Sequence, residues 1–269
     1  MDLSIVIPTY NRASSIKKAV NSALNQEGDG KFFNIKELIV VDDCSTDNTK
    51  EIVGELMLDD DRIRYHKHDT NGGAGKARNT GVNLAREMWV AFQDSDDIWD
   101  SDKLKEVALF KKGHPDTDMF THWYDAQTDE GIIHVMLDQP ENCFNELAKR
   151  NFVGAPTIVV KKEAFMDIGG FDEKMRSLED WDFALRFAYF HRISIVPGTL
   201  MWVDLTGKGV SSDIGNYYDA RCYMIAKNKK ILLEKDMFNN ALESLFTSAE
   251  NAGVLESVGR VMEAYLKGM

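Results

Sequence analysis

The chain is poor in proline, cysteine and positive charge. Five prolines in 269 residues leave most of the backbone free for regular elements. The three cysteines, Cys44, Cys143 and Cys222, lie far apart with no CxxC pair. That argues against a disulfide framework or a cysteine zinc site and fits a reducing cytosol. Lys and Arg number 32 against 44 Asp and Glu, a net charge of −12. A duplex-binding protein needs a basic face, so no nucleic-acid partner is expected. A nucleotide ligand stays open, because a divalent cation offsets carboxylates and phosphates together. No run approaches the ~20 apolar residues that span a bilayer. Met1-Asp2-Leu3-Ser4 leads straight into a strand with neither a basic segment nor a cleavage site. No secretory leader is therefore expected, and the expected location is cytoplasmic.

What is present reads as α/β. Ser4 to Pro8 is a short β-branched run, a buried strand. Ile16, Ala19, Val20, Ala23 and Leu24 then recur at helical spacing, with Ser14 or Ser15 as the cap. Leu38 to Val41 is a second strand, Ile52 to Met57 marks a second helix, and Arg62 to His66 a third strand. The glycine-rich turn Asn71 to Gly75 opens a third helix to about Arg86, and Trp89 to Phe92 is a fourth strand. This alternation predicts a mostly parallel sheet flanked by helices, with ligands at the carboxyl ends of its strands.

After Asp116 the pattern becomes mixed. Strands are expected at Met119 to Tyr124, Gly131 to Met136, Thr157 to Val160, Ile193 to Val196 and Leu200 to Leu205, with a helix over Asp180 to Tyr189. From about Ile214 two or three helices complete the chain. The expected division is one catalytic-sized domain over 1–212 and a helical extension over 213–269, without repeats or low-complexity segments.

Polar residues cluster at the predicted carboxyl edge. In Asp94-Ser95-Asp96, side chains two apart on an extended segment point the same way, which suits Mg²⁺ or Mn²⁺ shared with phosphate oxygens. The alternative is a solvated turn capping the next helix. Asp42-Asp43 either crowds a helix start with capping groups or offers a carboxylate to a nucleobase edge. Lys76 and Arg78 put two cations in a first helical turn, where they oppose the helix dipole unless an anion sits close. Glu179, Asp180 and Asp182 open a helix as favourable dipole partners, and could also supply a general base. The six histidines share no ligand spacing and read as structural or surface groups. Trp123 and Tyr124 read as core, with stacking on a sugar as the other use.

Together these segments resemble glycosyltransferase family 2, inverting enzymes of the GT-A fold. The resemblance covers about residues 3 to 212. It rests on Ser4-Ile5-Val6-Ile7-Pro8-Thr9-Tyr10-Asn11-Arg12, Val40 to Thr49, Asn71-Gly72-Gly73, Ala77 to Gly81, Asp94-Ser95-Asp96-Asp97, Gly169-Gly170-Phe171-Asp172 and Glu179-Asp180-Trp181-Asp182. It implies that Pro8, Thr9, Tyr10 and Arg12 wall the base and ribose, and that Asp42, with Asp43 beside it, reads the base edge. It implies that Arg78, helped by Lys76, lies near the base and diphosphate, Asp94 on the ribose side with Ser95 among the donor-binding residues, and Asp96 on a Mn²⁺ or Mg²⁺ ion. It implies that Asp180 is the catalytic base, with Glu179 near the acceptor, and that Trp181 packs close by and excludes water. The implied reaction is a single displacement in which an acceptor hydroxyl of a glycan, lipid-linked or protein substrate attacks a nucleoside diphosphate sugar. An Asp at the base edge suits the N3–H of uracil, which thymine shares.

Two departures stand out. Many relatives have Gly at the position of Cys44, so a left-handed backbone there would be strained. Many have a His within the segment matching Asp204 to Ser212, where this chain has none; Lys208 is an alternative diphosphate contact on a loop that could close on the donor. A dinucleotide oxidoreductase would need a glycine-rich turn after the first strand, as would a nucleotidylyltransferase, and Pro8 to Arg12 is neither. A non-catalytic sugar-nucleotide-binding module is the remaining alternative. Arg221, Lys227, Lys229, Lys230 and Lys235, with apolar neighbours, allow a peripheral contact with an anionic membrane.

Overall fold

The computed structural model describes residues 1–206 and 213–268. The first half is β1 (Asp2–Thr9), α1 (Ile16–Leu24), β2 (Asn34–Asp42), α2 (Thr49–Asp59), β3 (Ile63–Lys67), α3 (Ala74–Leu84) and β4 (Trp89–Phe92). Its strands are parallel in the order β3–β2–β1–β4. Alternate residues of β1 feed two cores on opposite faces. Ile5 and Ile7 meet Ile16 and Val20 of α1 and Val53 of α2, while Val6 meets Ala77 and Val82 of α3. A strand buried on both faces has no use for alternation, which is why these runs are continuously apolar. Gly81 brings α3 close to the sheet, since a Cβ there would lie 2.2 Å from a Val6 methyl. Ser15 occupies the N-cap of α1 as expected, but its hydroxyl makes no capping bond.

The second half is β5 (Ile98–Trp99), α4 (Lys103–Gly113), β6 (Met119–Thr128), β7 (Gly131–Val135), α5 (Cys143–Leu147), β8 (Val159–Lys161), α6 (Lys162–Asp167), α7 (Glu179–Phe190) and β9 (Ile193–Asp204). Here the sheet is mixed rather than parallel. β8 runs antiparallel between β4 and β6, β9 is parallel to β6, and β5 and β7 pair antiparallel with β9 and β6. The two strands expected over 193–205 are one strand, whose register with β6 shifts twice near Trp123. Pro156 turns the start of the expected strand at Thr157 into a short 3₁₀ turn, Ala155–Thr157.

Four helices follow where two or three were expected: α8 (Ile214–Lys227), α9 (Lys229–Glu234), α10 (Phe238–Asn251) and α11 (Leu255–Gly268). Their buried faces, including Cys222, Met224, Leu245 and Met262, belong to the same core cluster as Trp181 and Phe183 of α7. No helix among the described residues is long and apolar enough to cross a membrane.

Candidate active site

The carboxyl ends of β1, β2 and β4 bring three loops together. The loop after β1 docks on the one after β2. Asn11 donates its N–H to Ser45 Oγ (2.9 Å), Arg12 to Thr49 Oγ1 (3.0 Å), and Ala13 to Asp47 Oδ2 (3.0 Å). Pro8 pairs in register with Val41 inside the sheet. Thr9 is buried and its hydroxyl has no partner among the described residues, while Tyr10 is 46% exposed at the rim. A buried hydroxyl without a partner is uncommon and marks a place where a ligand or water completes the bonding.

Asp42 is fully buried. One of its oxygens accepts from Ser45 N (2.7 Å) and the other from the Tyr65 hydroxyl. The carboxylate expected to read a base edge is thus directed into the protein. Asp43 holds the glycine-rich turn: its oxygens accept from Gly72 N (2.9 Å) and Gly73 N (2.6 Å), and from His68 Nδ1 at 2.8 Å. His68 reaches Thr80 Oγ1 through its other nitrogen (2.9 Å), so it is structural, in line with the sequence reading. Cys44, just after the two acids, has φ +72°, the left-handed backbone that glycine would adopt without strain.

Residues 94–97 are not extended. Asp97 N donates to Asp94 O (3.3 Å), closing a turn. The two carboxylates therefore reach different cations instead of one spot. Asp94 accepts from Arg78 (2.6 Å), and Asp96 pairs with Arg12 (3.0 Å) with both side chains about half exposed. Ser95 is buried. Among the described residues no group of three or more His, Cys, Asp or Glu converges on one point. Asp96, a hard carboxylate open to solvent, fits an ion that takes the rest of its shell from phosphate oxygens and water.

Arg78 joins the turn to helix α7. It is 4% exposed, and its guanidinium bridges Asp94 and Glu179 (2.8 Å) and lies over the Phe171 ring. Burial opposes its charge, but Asp94, Glu179 and Asp180 outweigh burial and raise its pKa. The anions that make a cation tolerable early in α3 are thus the protein's own. Among the described residues Lys76 makes no such pair; its side chain lies against Gly72.

Asp180 sits at the second position of α7, just after Leu178, whose φ of +59° is left-handed. A non-glycine residue held there costs about 1–2 kcal/mol and persists only where surrounding contacts enforce it. Asp180 Oδ1 accepts from Trp181 N (2.7 Å), and Oδ2 lies 3.3 Å from Ala155 N. Burial first, then Glu179, push its pKa up to about 7, against Arg78 and the two N–H groups. Trp181 packs in the core and donates to Leu147 O (2.6 Å). Asp182 offers nothing to a substrate. It is fully buried and bound by Arg186 (2.8 Å), Lys227 (2.9 Å) and Asn228 (2.8 Å).

The turn Gly169 to Asp172 is fixed to α3 by Asn79, which accepts from Phe171 N and donates to Phe171 O (both 2.9 Å). Tyr124 and Trp123 both pack against the core clusters, and Trp123 donates to Leu137 O (2.6 Å). Lys208 and the rest of 207–212 lie outside the described residues.

One participant had no sequence signal. Lys103 opens α4 in a run that reads as a solvated helix start, yet it is fully buried. Its ammonium lies 3.8 Å from the centre of the Trp99 ring and donates to Pro156 O (2.8 Å). Burial holds its pKa well below the usual lysine range, although Asp97 and Asp94 act the other way. Asp97, also buried, is pushed up to about 8 by burial and then by Asp94 and Asp96.

Residues 4–169 match the family described as glycosyl transferase family 2. Among curated relatives, an uncharacterized glycosyltransferase of Haemophilus influenzae is 32% identical over 188 residues, 68% of this chain and 61% of its own length. The putative teichuronic acid biosynthesis glycosyltransferase TuaG of Bacillus subtilis is 32% identical over 60% of this chain and 62% of its own length. The chain thus spans about three fifths of each of these two relatives. The Escherichia coli UDP-Glc:alpha-D-GlcNAc-diphosphoundecaprenol beta-1,3-glucosyltransferase WfaP is 26% identical over 93% of this chain and 88% of its own length. In solved structures, Staphylococcus aureus TarS superposes on 93% of this chain and 43% of its own with TM-score 0.69 and 25% identity. A TarS 1–349 structure in complex with UDP-GlcNAc superposes on all of this chain and 93% of its own, with TM-score 0.68 and 22% identity. The likeness bears out the expected GT-A fold, flanking and C-terminal helices included.

Proposed function

The chain belongs to glycosyl transferase family 2, and we propose that it moves a sugar from a nucleoside diphosphate sugar, a UDP-sugar first of all, onto an acceptor hydroxyl with Asp180 as the base. The observation that carries this reading is the environment of Asp180. Its pKa near 7 lets it be ionised at neutral pH yet basic enough to accept a proton in the transition state. The cause is burial beside Glu179, as a shielded base requires.

In the proposed reaction the acceptor O–H hydrogen-bonds to Asp180. The oxygen attacks the anomeric carbon as its proton passes to the carboxylate. The bond from that carbon to the diphosphate oxygen breaks on the opposite face, and its electron pair leaves with the nucleotide, so the configuration inverts. Asp180 then returns its proton to solvent. Glu179 holds Arg78 (2.8 Å) and so fixes the carboxylate edge relative to the base. Arg12 and Thr9 would face the nucleotide. A Mn²⁺ or Mg²⁺ ion, held by Asp96 together with diphosphate oxygens, would stabilise charge on the leaving group when bound. Positioning supplies much of the remaining rate gain.

The relatives TuaG, WfaP and TarS support a setting in the assembly of bacterial surface polysaccharides or glycoconjugates. We take residues 1–212 as the catalytic domain and 213–269 as its helical extension. The test is thermal unfolding with UDP, dTDP, GDP and ADP, each with and without Mn²⁺, followed by sugar transfer from the matching donors. A ligand at 100 times its dissociation constant adds roughly 2.7 kcal/mol. A metal-dependent shift with UDP that is lost in Asp96→Ala, and transfer that is lost in Asp180→Asn, are expected. A shift without transfer from any donor would favour a non-catalytic binding module, and no shift from folded protein would overturn the nucleotide reading.

A further inference from the structure

Helix α8 lies beyond residue 169, where the family match ends, yet it grips both residues that follow Asp180. Arg221 is 2% exposed and lays its guanidinium 5.0 Å from the centre of the Trp181 ring. The same guanidinium donates to Lys149 O (3.1 Å) and Ser244 Oγ (2.8 Å), which sets its plane. Near the end of the helix, Lys227 donates to Asp182 Oδ2 (2.9 Å), and Asn228, just past it, donates to Asp182 Oδ1 (2.8 Å).

Lys227 also donates to Asp172 Oδ2 (2.6 Å), and Tyr223 one turn earlier adds its hydroxyl at 3.1 Å. Asp172 ends the turn that Asn79 clamps, and Asn79 adjoins Arg78. One ammonium thus ties the first turn of α7 to the turn that is fixed on α3. Within α7, Arg186 already donates to Asp182 Oδ2, so the bond from Lys227 adds a constraint between elements, whereas Oδ1 of this fully buried carboxylate is bonded by Asn228. That constraint matters because α7 starts from the left-handed Leu178, a conformation that relaxes if the first turn is free to move.

We propose that α8 is a positioning element for the catalytic base and that Lys227 is the residue through which it acts. The kinetic arm of the test rests on Asp180 as the base; a structural arm does not. The full chain carries Lys227→Met or Lys227→Arg. Measured quantities are kcat and KM for the UDP-sugar, the pH profile of kcat/KM, and hydrogen exchange of the amides of residues 178–183. A misplaced base costs rate rather than donor binding, so Lys227→Met should lower kcat about tenfold or more with donor KM within about twofold. Loosening admits water to a carboxylate faced by Glu179 on its own helix, Arg78 from α3 and Tyr124 from β6, and the acid limb moves to lower pH. The amides exchange faster in Lys227→Met, and Lys227→Arg, which can reach both carboxylates, restores kcat and protection.

Unchanged kcat, acid limb and amide exchange in Lys227→Met would overturn the proposal and leave α8 a packing helix. So would a loss in Lys227→Met accompanied by an equal loss in Lys227→Arg with protection intact. If Lys227→Met does not fold, Tyr223→Phe, which deletes one hydroxyl on Asp172, carries the same three readouts with smaller effects expected. If the wild type transfers no sugar, the base reading fails. Amide exchange then still decides whether Lys227 holds the first turn of α7.

Discussion

Arg12 and Asp96 meet at 3.0 Å across the carboxyl edge of the sheet, one from the loop after β1 and the other from the turn after β4. Both side chains are about half exposed, so the pair itself adds little stability. It does compete with any cation for the carboxylate. Arg12→Ala is therefore expected to tighten Mn²⁺ binding to the nucleotide-free protein by about two- to tenfold, and to weaken UDP binding if Arg12 faces the nucleotide. Calorimetric titration with each ligand checks both, and unchanged Mn²⁺ affinity would remove Asp96 as its ligand.

Asp180→Asn should abolish transfer while leaving the UDP-induced thermal shift intact. In the wild type the acid limb of kcat/KM should lie near pH 7, since the base must be ionised. A limb near pH 4 would mean that another group is the base.

The same shift fixes a sign for stability. Asp180 rises from an ordinary 3.8 to about 7 on folding, so the native state binds more protons between those values, and stability falls as pH rises from about 4 to 7. Asparagine does not ionise. Asp180→Asn should match the wild type near pH 4 and exceed it at pH 8 by up to about 4 kcal/mol, measured by denaturant unfolding at both pH values. A gap that shrinks with rising pH would contradict the assigned environment.

Arg78→Met should leave Asp94 and Glu179 facing each other without their shared cation. Breaking a buried pair on one side costs about 3 kcal/mol or more. Arg78 also lowers the pKa of Asp180, so any activity left should show an acid limb above that of the wild type. Arg78→Lys keeps the charge but not the fork, and should keep the fold while weakening donor affinity. Urea unfolding and a donor titration separate the two variants.

Cys44→Gly should be neutral or stabilising by up to about 1 kcal/mol, because φ +72° suits glycine and costs cysteine, while glycine adds entropy to the unfolded chain. Cys44→Val should destabilise, since a β-branched residue tolerates that backbone least. Thermal midpoints of the two variants are the check.

The parallel half of the sheet was readable because its strands are covered on both faces and carry unbroken apolar runs, as in Ser4 to Pro8 and Leu38 to Val41. The second half was less so. Ile193 to Asp204 reads as two strands because Pro197 and Gly198 interrupt the apolar pattern, whereas pairing with β6 carries the strand past them. Asp180 was legible as a candidate, since the acids in its segment matched a family pattern. The spacing of Asp94 and Asp96 misled, because it assumed extended backbone where the chain turns. Lys103 was invisible: a lysine in a first helical turn normally meets water, and here the Trp99 ring, the Pro156 carbonyl and the nearby Asp97 and Asp94 make its burial tolerable.

The pairing of β6 with β9, like that of β1 with β4, joins segments far apart in the chain, Met119 with Ile193 and Leu3 with Trp89. Such long-range pairings demand loop closure before any contact rewards it, so folding should be slow for the chain's length. During synthesis the edge of β6 that β9 pairs with stays open until β9 has emerged. A nascent chain paused before Ile193 would expose that edge to other chains, and aggregation of such fragments is the failure to expect on overexpression.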